Sequence, residues 1–149
     1  MTYLEASARL DYAVQAMLAL SAVYPERIKG ADLARKQQLP LTFLRDVLAV
    51  ARRASLVQAR LGPEGGYRLT RPPTSMTLAE VVRALDGPLT MVRGETIGAL
   101  TYAGAARHLG DVWAAIDASV CAVMQSVTLA DILAGQLPTV PATRSAADP

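Results

Sequence analysis

Ten of the fifteen Lys and Arg residues in this 149-residue chain lie between Arg27 and Arg71, alongside only three of its thirteen Asp and Glu. The flanks hold the other five cations and ten carboxylates, so a formal charge of +2 conceals a basic segment between acidic ones. Guanidinium and ammonium groups gathered in this way suit the binding of a polyanion. A solvated basic surface is the duller alternative. Arg45 is bracketed by Thr42, Phe43 and Asp46. A guanidinium there can grip two acceptors on a guanine edge, while Thr42 or Phe43 can touch a thymine methyl. Asp46 must then accept from a cytosine amine or hold Arg45 in place. Arg9, Arg35, Lys36, Arg52, Arg53, Arg60 and Arg68 suit phosphates, which fix register without reading sequence.

Other chemistry is poorly supplied. One His, one Cys and no G-x-S-x-G or HExxH pattern leave no familiar nucleophile or metal constellation, so no enzyme is expected. Gly62-Pro63-Glu64-Gly65-Gly66 imitates a phosphate loop, but no Lys-Ser/Thr follows it and the next residues read as a strand. A single cysteine excludes an internal disulfide framework and an all-cysteine metal site within one chain. The longest apolar stretch, residues 13–24, is about half of the roughly 20 residues a membrane span needs. No basic region precedes an early apolar run, so no signal peptide, no membrane partner and a cytoplasmic location are expected.

The elements that must hold the basic residues are mostly helical. Hydrophobic residues make up 52% of the chain but aromatics only 5%, and Ala and Leu favour helix over sheet. Residues 7–24 carry apolar side chains at helical spacing, with Ser7 as N-cap and Pro25 at the end. A short helix over 31–38 is stopped by Leu39-Pro40, because the residue before proline is pushed out of helical geometry. A third helix over 41–54 turns Leu44, Val47, Leu48 and Ala51 inward and leaves Thr42, Arg45, Asp46, Arg52 and Arg53 outside. Two helices split by a tight turn describe a helix-turn-helix. Alternation over 56–60, three glycines within 62–66 and a second run over 67–70 predict a hairpin, the wing of a winged helix. Its Arg60, Arg68 and Arg71 then face a neighbouring groove or phosphates. Thr77-x-x-Glu80 is a capping box opening a helix that Gly87-Pro88 ends. Residues 89–105 read as a loop. A long helix from Ala106 repeats Leu109, Val112, Trp113, Ile116, Val120, Val123 and Val127 at steps of three and four. Thr128-x-x-Asp131 starts one more turn or two, and the tail from Gln136, with three prolines, is expected to be disordered.

The order of these features resembles the Rrf-two-type regulators, which include the iron–sulfur cluster regulator, the nitric-oxide-sensing repressor and the cysteine-metabolism repressor. The likeness runs from about Tyr12 to Gly135. It rests chiefly on the wing, Leu56-Val57 then Gly62-x-x-Gly65-Gly66-Tyr67-x-Leu69, followed by Pro72, Thr77-Leu78-x-Glu80-Val81 and Asp86-Gly87. Tyr12-Ala13, Phe43-Leu44 and Trp113 also fall on the family pattern. The resemblance implies a mainly α fold: a winged helix-turn-helix with a small β-hairpin wing and a long C-terminal dimerisation helix. It divides the chain into a DNA-binding domain (1–87), a sensor-position loop (88–105), a dimerisation helix (106–135) and a tail (136–149). It implies a homodimer acting on double-stranded DNA at an imperfect palindrome, with repression as the expected output. The apolar row of the long helix pairs two chains or packs on the chain's own core.

The departures bear on mechanism. Cluster-binding members carry three cysteines before the tryptophan helix, whereas Gly94, Leu100 and Ala106 fall at or near those positions here. Without thiolates a cluster has nothing to bind, and His108 alone cannot carry one. No cofactor and no metal are therefore expected. Relatives often have an acidic residue at Arg45, an arginine at Leu61 and a basic residue at Asp11, so the operator cannot be copied from them. Cys121 is a small buried apolar residue, or a thiol that oxidises or bridges two subunits. A small-molecule effector bound between the wing domain and the Gly-rich loop, touching Tyr102, Arg93 or His108, is a third route to sensing. A protein-binding adaptor that never touches DNA stays open as the alternative function.

Overall fold

The computed structural model describes residues 3–4 and 7–138, and it has the expected mainly helical winged-helix architecture. The first helix, α1 (Ala8–Val23), opens at Ser7, whose Oγ accepts from the Leu10 N–H at 3.0 Å. The same hydroxyl donates to Asp86 Oδ2 at 2.6 Å, tying the start of α1 to the end of a helix 79 residues on. Leu10, Ala13, Ala16, Met17 and Leu20 are buried at helical spacing and form the centre of the core. The helix-turn-helix follows as α2 (Gly30–Gln37) and α3 (Leu41–Arg53). Its turn closes through Gln38 at φ 54° and the buried Leu39.

The wing is β2 (Val57–Arg60) and β3 (Gly66–Leu69), antiparallel, with Val57 opposite Leu69 and Arg60 opposite Gly66. Two of its glycines are obligatory. A Cβ at Gly65 would collide with the Arg60 and Gly62 carbonyls. Gly66 has φ +127°, and a Cβ there would stand 2.7 Å from the Ile28 carbonyl oxygen. That close approach lets Ile28 and Tyr67 exchange two backbone hydrogen bonds of 2.8 and 3.0 Å, fastening the wing to the segment before α2.

Helix α4 (Leu78–Leu85) has the full capping box: Thr77 Oγ1 accepts from the Glu80 N–H, and Glu80 accepts from the Thr77 N–H at 2.8 Å. Arg71 pairs with Glu80 and also donates to the Ser75 carbonyl, so it braces α4 and is not a free wing cation. Burial acts to raise the Glu80 carboxyl. The Thr77 N–H and the Arg71 guanidinium outweigh it and hold the group below the usual carboxylate range.

The expected loop over 89–105 proves to be partly structured. It contains β4 (Thr90–Val92) and β5 (Glu95–Thr96), and β4 also pairs with β1 (Tyr3–Leu4) to give sheet order β1-β4-β5. Short 3-10 turns at Ile97–Ala99 and Gly104–Ala106 follow, so the long helix α5 (Leu109–Ser126) starts three residues later than its periodicity predicts. The chain then breaks at Val127 into α6 (Leu129–Leu133), which begins with a second capping box, Thr128 with Asp131. The Leu78 N–H donates to the Val127 carbonyl and the Leu129 N–H to the Met76 carbonyl, both at 2.9 Å. The two capped segments thus lie side by side, and Leu129 is buried in the N-terminal core. Val127 is buried too, 3% exposed, which removes it from the exposed part of the expected pairing row. The disorder expected of the tail concerns mainly residues 139–149, which lie outside the described residues.

Thr77→Ala should cost about 1 kcal/mol, the usual value of an N-cap. Gly66→Ala should cost more, because backbone strain of roughly 1–3 kcal/mol is joined by the carbonyl clash. Urea unfolding of the two variants checks the order. A Gly66 variant as stable as the Thr77 variant would mean that the wing tether contributes little.

Candidate nucleic-acid interface

The outer face of α3 is set by helical geometry. With Leu44, Val47, Leu48 and Ala51 packed inward, Thr42, Arg45, Asp46, Arg52 and Arg53 share the opposite side, all exposed. Arg45 and Asp46 form no ion pair with each other or with other described residues, so both are free to meet a ligand. Pro40 supplies no side-chain cap to α3, which leaves its first N–H groups for an anion. Phe43 is half-buried and packs edge-on against Tyr12, with centroids 5.4 Å apart and planes at 86°, so part of its ring serves to hold α3 against α1.

Beside the wing lies a cleft of about 620 Å³, lined by Arg27, Lys29, Arg35, Lys36, Arg60 and Arg68. The carboxylates on its walls are Glu26, Asp32 and Glu64. Only one of them is paired, Asp32 with Arg35 at 2.9 Å. Arg27 and Lys29 were absent from the sequence candidates. They sit in the segment joining α1 to α2, which the Ile28–Tyr67 tether fastens to the wing. Arg27 donates to the Gly66 carbonyl at 3.2 Å, and Arg68 donates through Nε to Gln58 Oε1 at 3.1 Å. Loss of hydration, then the positive charges of Arg68 and Arg60, push the Arg27 guanidinium below its ordinary range. Crowded cations without carboxylate partners are what an incoming phosphate would stabilise. Arg9 is exposed in the first turn of α1 and does not line this cleft.

The apolar row of α5 divides in two. Leu109, Val112 and Ile116 are 37%, 53% and 41% exposed, with Val120 and Val123 half-buried beside them. Trp113 instead turns to its own loop, donating from Nε1 to the Tyr102 hydroxyl at 3.1 Å, while the Arg93 guanidinium lies 6.0 Å from the Tyr102 ring centroid. Cys121 lines a cavity between α4 and α5 and not the exposed row. Of the three effector contacts expected, Tyr102 lines a cavity under the loop, whereas Arg93 and His108 do not. His108 is exposed beside Arg107 and Asp111.

A winged helix with an uncapped, cation-bearing second helix and a basic cleft at its wing defines a DNA-binding transcription regulator. The family model described as Rrf2, iron-dependent transcriptional regulator, matches residues 6–135, and the chain belongs to that family. It is 44% identical over 133 residues to Rv1287 of Mycobacterium tuberculosis, named an HTH-type transcriptional regulator, covering 89% of this chain and 83% of that one. It is 30% identical over 130 residues to the transcriptional regulator IscR of Cereibacter sphaeroides, covering 78% and 79%. Among solved structures it is similar to CymR, described as the global cysteine regulator of B. subtilis, with TM-score 0.76, 26% identity and coverage of 90% and 99%. IscR of T. potens gives TM-score 0.72 at 29% identity, covering 89% and 88%.

The donors present do not fit the iron centre that the family description implies. Among the described residues no three His, Cys, Asp or Glu side chains gather to hold a metal. The single cysteine, Cys121, lies on α5, away from Gly94, Leu100 and Ala106. No helix among the described residues is long and apolar enough to cross a membrane.

Mutual repulsion in the cleft makes a stability prediction. Arg60→Gln should raise the unfolding midpoint of the free protein at low ionic strength, and the gain should vanish in high salt. Scanning calorimetry at two salt concentrations tests this, and equal destabilisation at both would show that Arg60 serves packing instead.

Proposed function

We propose that the chain is a homodimeric repressor that binds an imperfectly palindromic DNA site without an iron–sulfur cluster. The observation that carries this reading is the cleft between α2 and the wing, where six cations meet and, among the described residues, only Arg35 has an ion pair. Arg27, Lys29, Lys36, Arg60 and Arg68 would take phosphates there, with Arg52 and Arg53 doing so from the end of α3. Thr42, Arg45 and Asp46 would face base edges in the major groove. Leu109, Val112 and Ile116, with Val120 and Val123, would pair with the same row on a second chain. Covering each large apolar side chain is worth up to about 1.5–3 kcal/mol. An isologous contact repeats the recognition helix around a two-fold axis, hence the palindrome and half-sites about one helical turn apart or a multiple of it.

The test is selection from a random DNA pool, then titration of the selected and scrambled duplexes at several salt concentrations. Arg45→Ala should weaken the selected duplex by about 1–3 kcal/mol and relax its preference at one base pair. Arg60→Ala should weaken both duplexes alike and lower the salt slope by about 0.9. Weak binding to both duplexes with no salt dependence would remove DNA from the reading and favour a protein partner. For the dimer, Ile116→Asp should sediment as a folded monomer where the parent sediments as a dimer. A dimeric Ile116→Asp variant would place the interface elsewhere.

A further inference from the structure

Under the loop that precedes α5 lie two adjoining cavities, of about 610 and 210 Å³, which share Pro88, Thr90 and Asp117 in their walls. Small-molecule sites commonly occupy roughly 300–1,000 Å³. The larger cavity is polar, with Thr96, Thr101, Tyr102 and Arg107 on its rim. The smaller is mainly apolar, lined by Val82, Leu89, Val120, Cys121 and Met124. At the shared wall, Thr90 is 4% exposed and its Oγ1 is buried with no hydrogen-bond partner among the described residues. A hydroxyl in that position is unfavourable unless something meets it. Asp117, half-buried on the inner side of α5, has no cation within ion-pair distance among the described residues. Asp111, six residues earlier on α5, is exposed and lies 3.5 Å from His108 Nδ1.

We propose that these cavities form one binding site for a small organic ammonium ion with a short apolar tail. The ammonium would donate to Asp117 and to Thr90 Oγ1, and the tail would fill the chamber of Val120, Cys121 and Met124. Asp117 is the charged group common to both walls, while Arg107 and Asp111 line the larger cavity alone and Arg83 the smaller alone. Of the loop positions Gly94, Leu100 and Ala106, only Leu100 contributes to these walls, so the site lies beneath the loop and not on it. The smaller cavity separates α4, part of the winged-helix core, from α5, which carries the exposed apolar row. Occupancy would therefore brace one against the other.

Cys121 is the only thiol and lines the inner chamber, so its alkylation reports occupancy on the full chain without DNA. The probes are hexylamine, hexanoate and 1-hexanol, read by the rate of N-ethylmaleimide labelling and by the unfolding midpoint. Hexylamine should slow labelling several-fold and raise the midpoint, while hexanoate should do neither. Asp117→Asn should abolish the hexylamine effect. Thr90→Val should raise the midpoint of the unliganded protein and weaken hexylamine protection. Protection by hexanol or hexanoate equal to that of hexylamine would overturn the proposal, as would no protection of the parent protein by hexylamine. Undiminished protection in a folded Asp117→Asn variant would do the same. None of these readouts involves DNA, so failure of the DNA reading would leave them intact.

Discussion

The rotation of α5 about its own axis is fixed by how its two ends are held, and the exposed face of the protein follows from that. Near its start, Trp113 Nε1 donates to the Tyr102 hydroxyl, and Arg93 lies over the same ring. Beyond its end, the Val127 carbonyl accepts from Leu78, and Leu129 enters the core of the N-terminal helices. With both ends pinned, Asp117, Cys121 and Met124 turn toward α4, and Leu109, Val112 and Ile116 are left bare. A helix free to roll could bury more of that row against its own chain. The pinned one leaves that row exposed, with the inner cavity between α5 and α4 on its other side.

A second division runs through the cations. Arg71 and Arg35 have carboxylates in reach and behave as parts of the fold, bracing α4 and decorating α2. Arg27, Arg60 and Arg68 have none in ion-pair range among the described residues, and their charges oppose one another. They stay together because the Ile28–Tyr67 backbone pairing, made possible by Gly66, holds the wing against the preceding segment. The fold thus maintains a local charge excess that is unfavourable in the free protein. A polyanion converts that excess into binding energy, which gives the Gly65-Gly66 pair a functional consequence as well as a steric one.

How much of this was legible in the sequence depended on the range of the interaction concerned. The helix-turn-helix, the wing and both capping boxes are local devices, and each lay where its residues pointed. The β4–β5 hairpin was missed because its strands are very short and its turn uses Arg93 at φ 55° before Gly94, where Asn or Asp would have announced it. Its partner β1 lies at the other end of the chain, beyond any periodicity argument. Val127 continued the apolar spacing of α5, but Thr128 had to be an N-cap, and an N-cap leaves the residue before it outside the new helix. That signal was present and outweighed by the periodicity. Phe43 was read by its position near the start of α3, which gave no sign of its packing on Tyr12, a long-range contact. Arg27 and Lys29 escaped for the same reason: an irregular segment has no face until the fold gives it one.

The departures at Arg45 and Leu61 pull the reading of DNA in one direction. Leu61 follows the first wing strand and is 97% exposed, so the tip of the wing carries an apolar side chain. The wing's cations, Arg60 and Arg68, instead line the cleft shared with Arg27 and Lys29. A cation in such a cleft suits the phosphate backbone, which supplies affinity and salt dependence but little discrimination. Base reading in a DNA-bound state would then fall on α3, where Arg45 is exposed. A guanidinium seeks the acceptors of guanine, whereas a carboxylate seeks the cytosine amine. A guanidinium at Arg45 would therefore favour guanine at the base pair it faces.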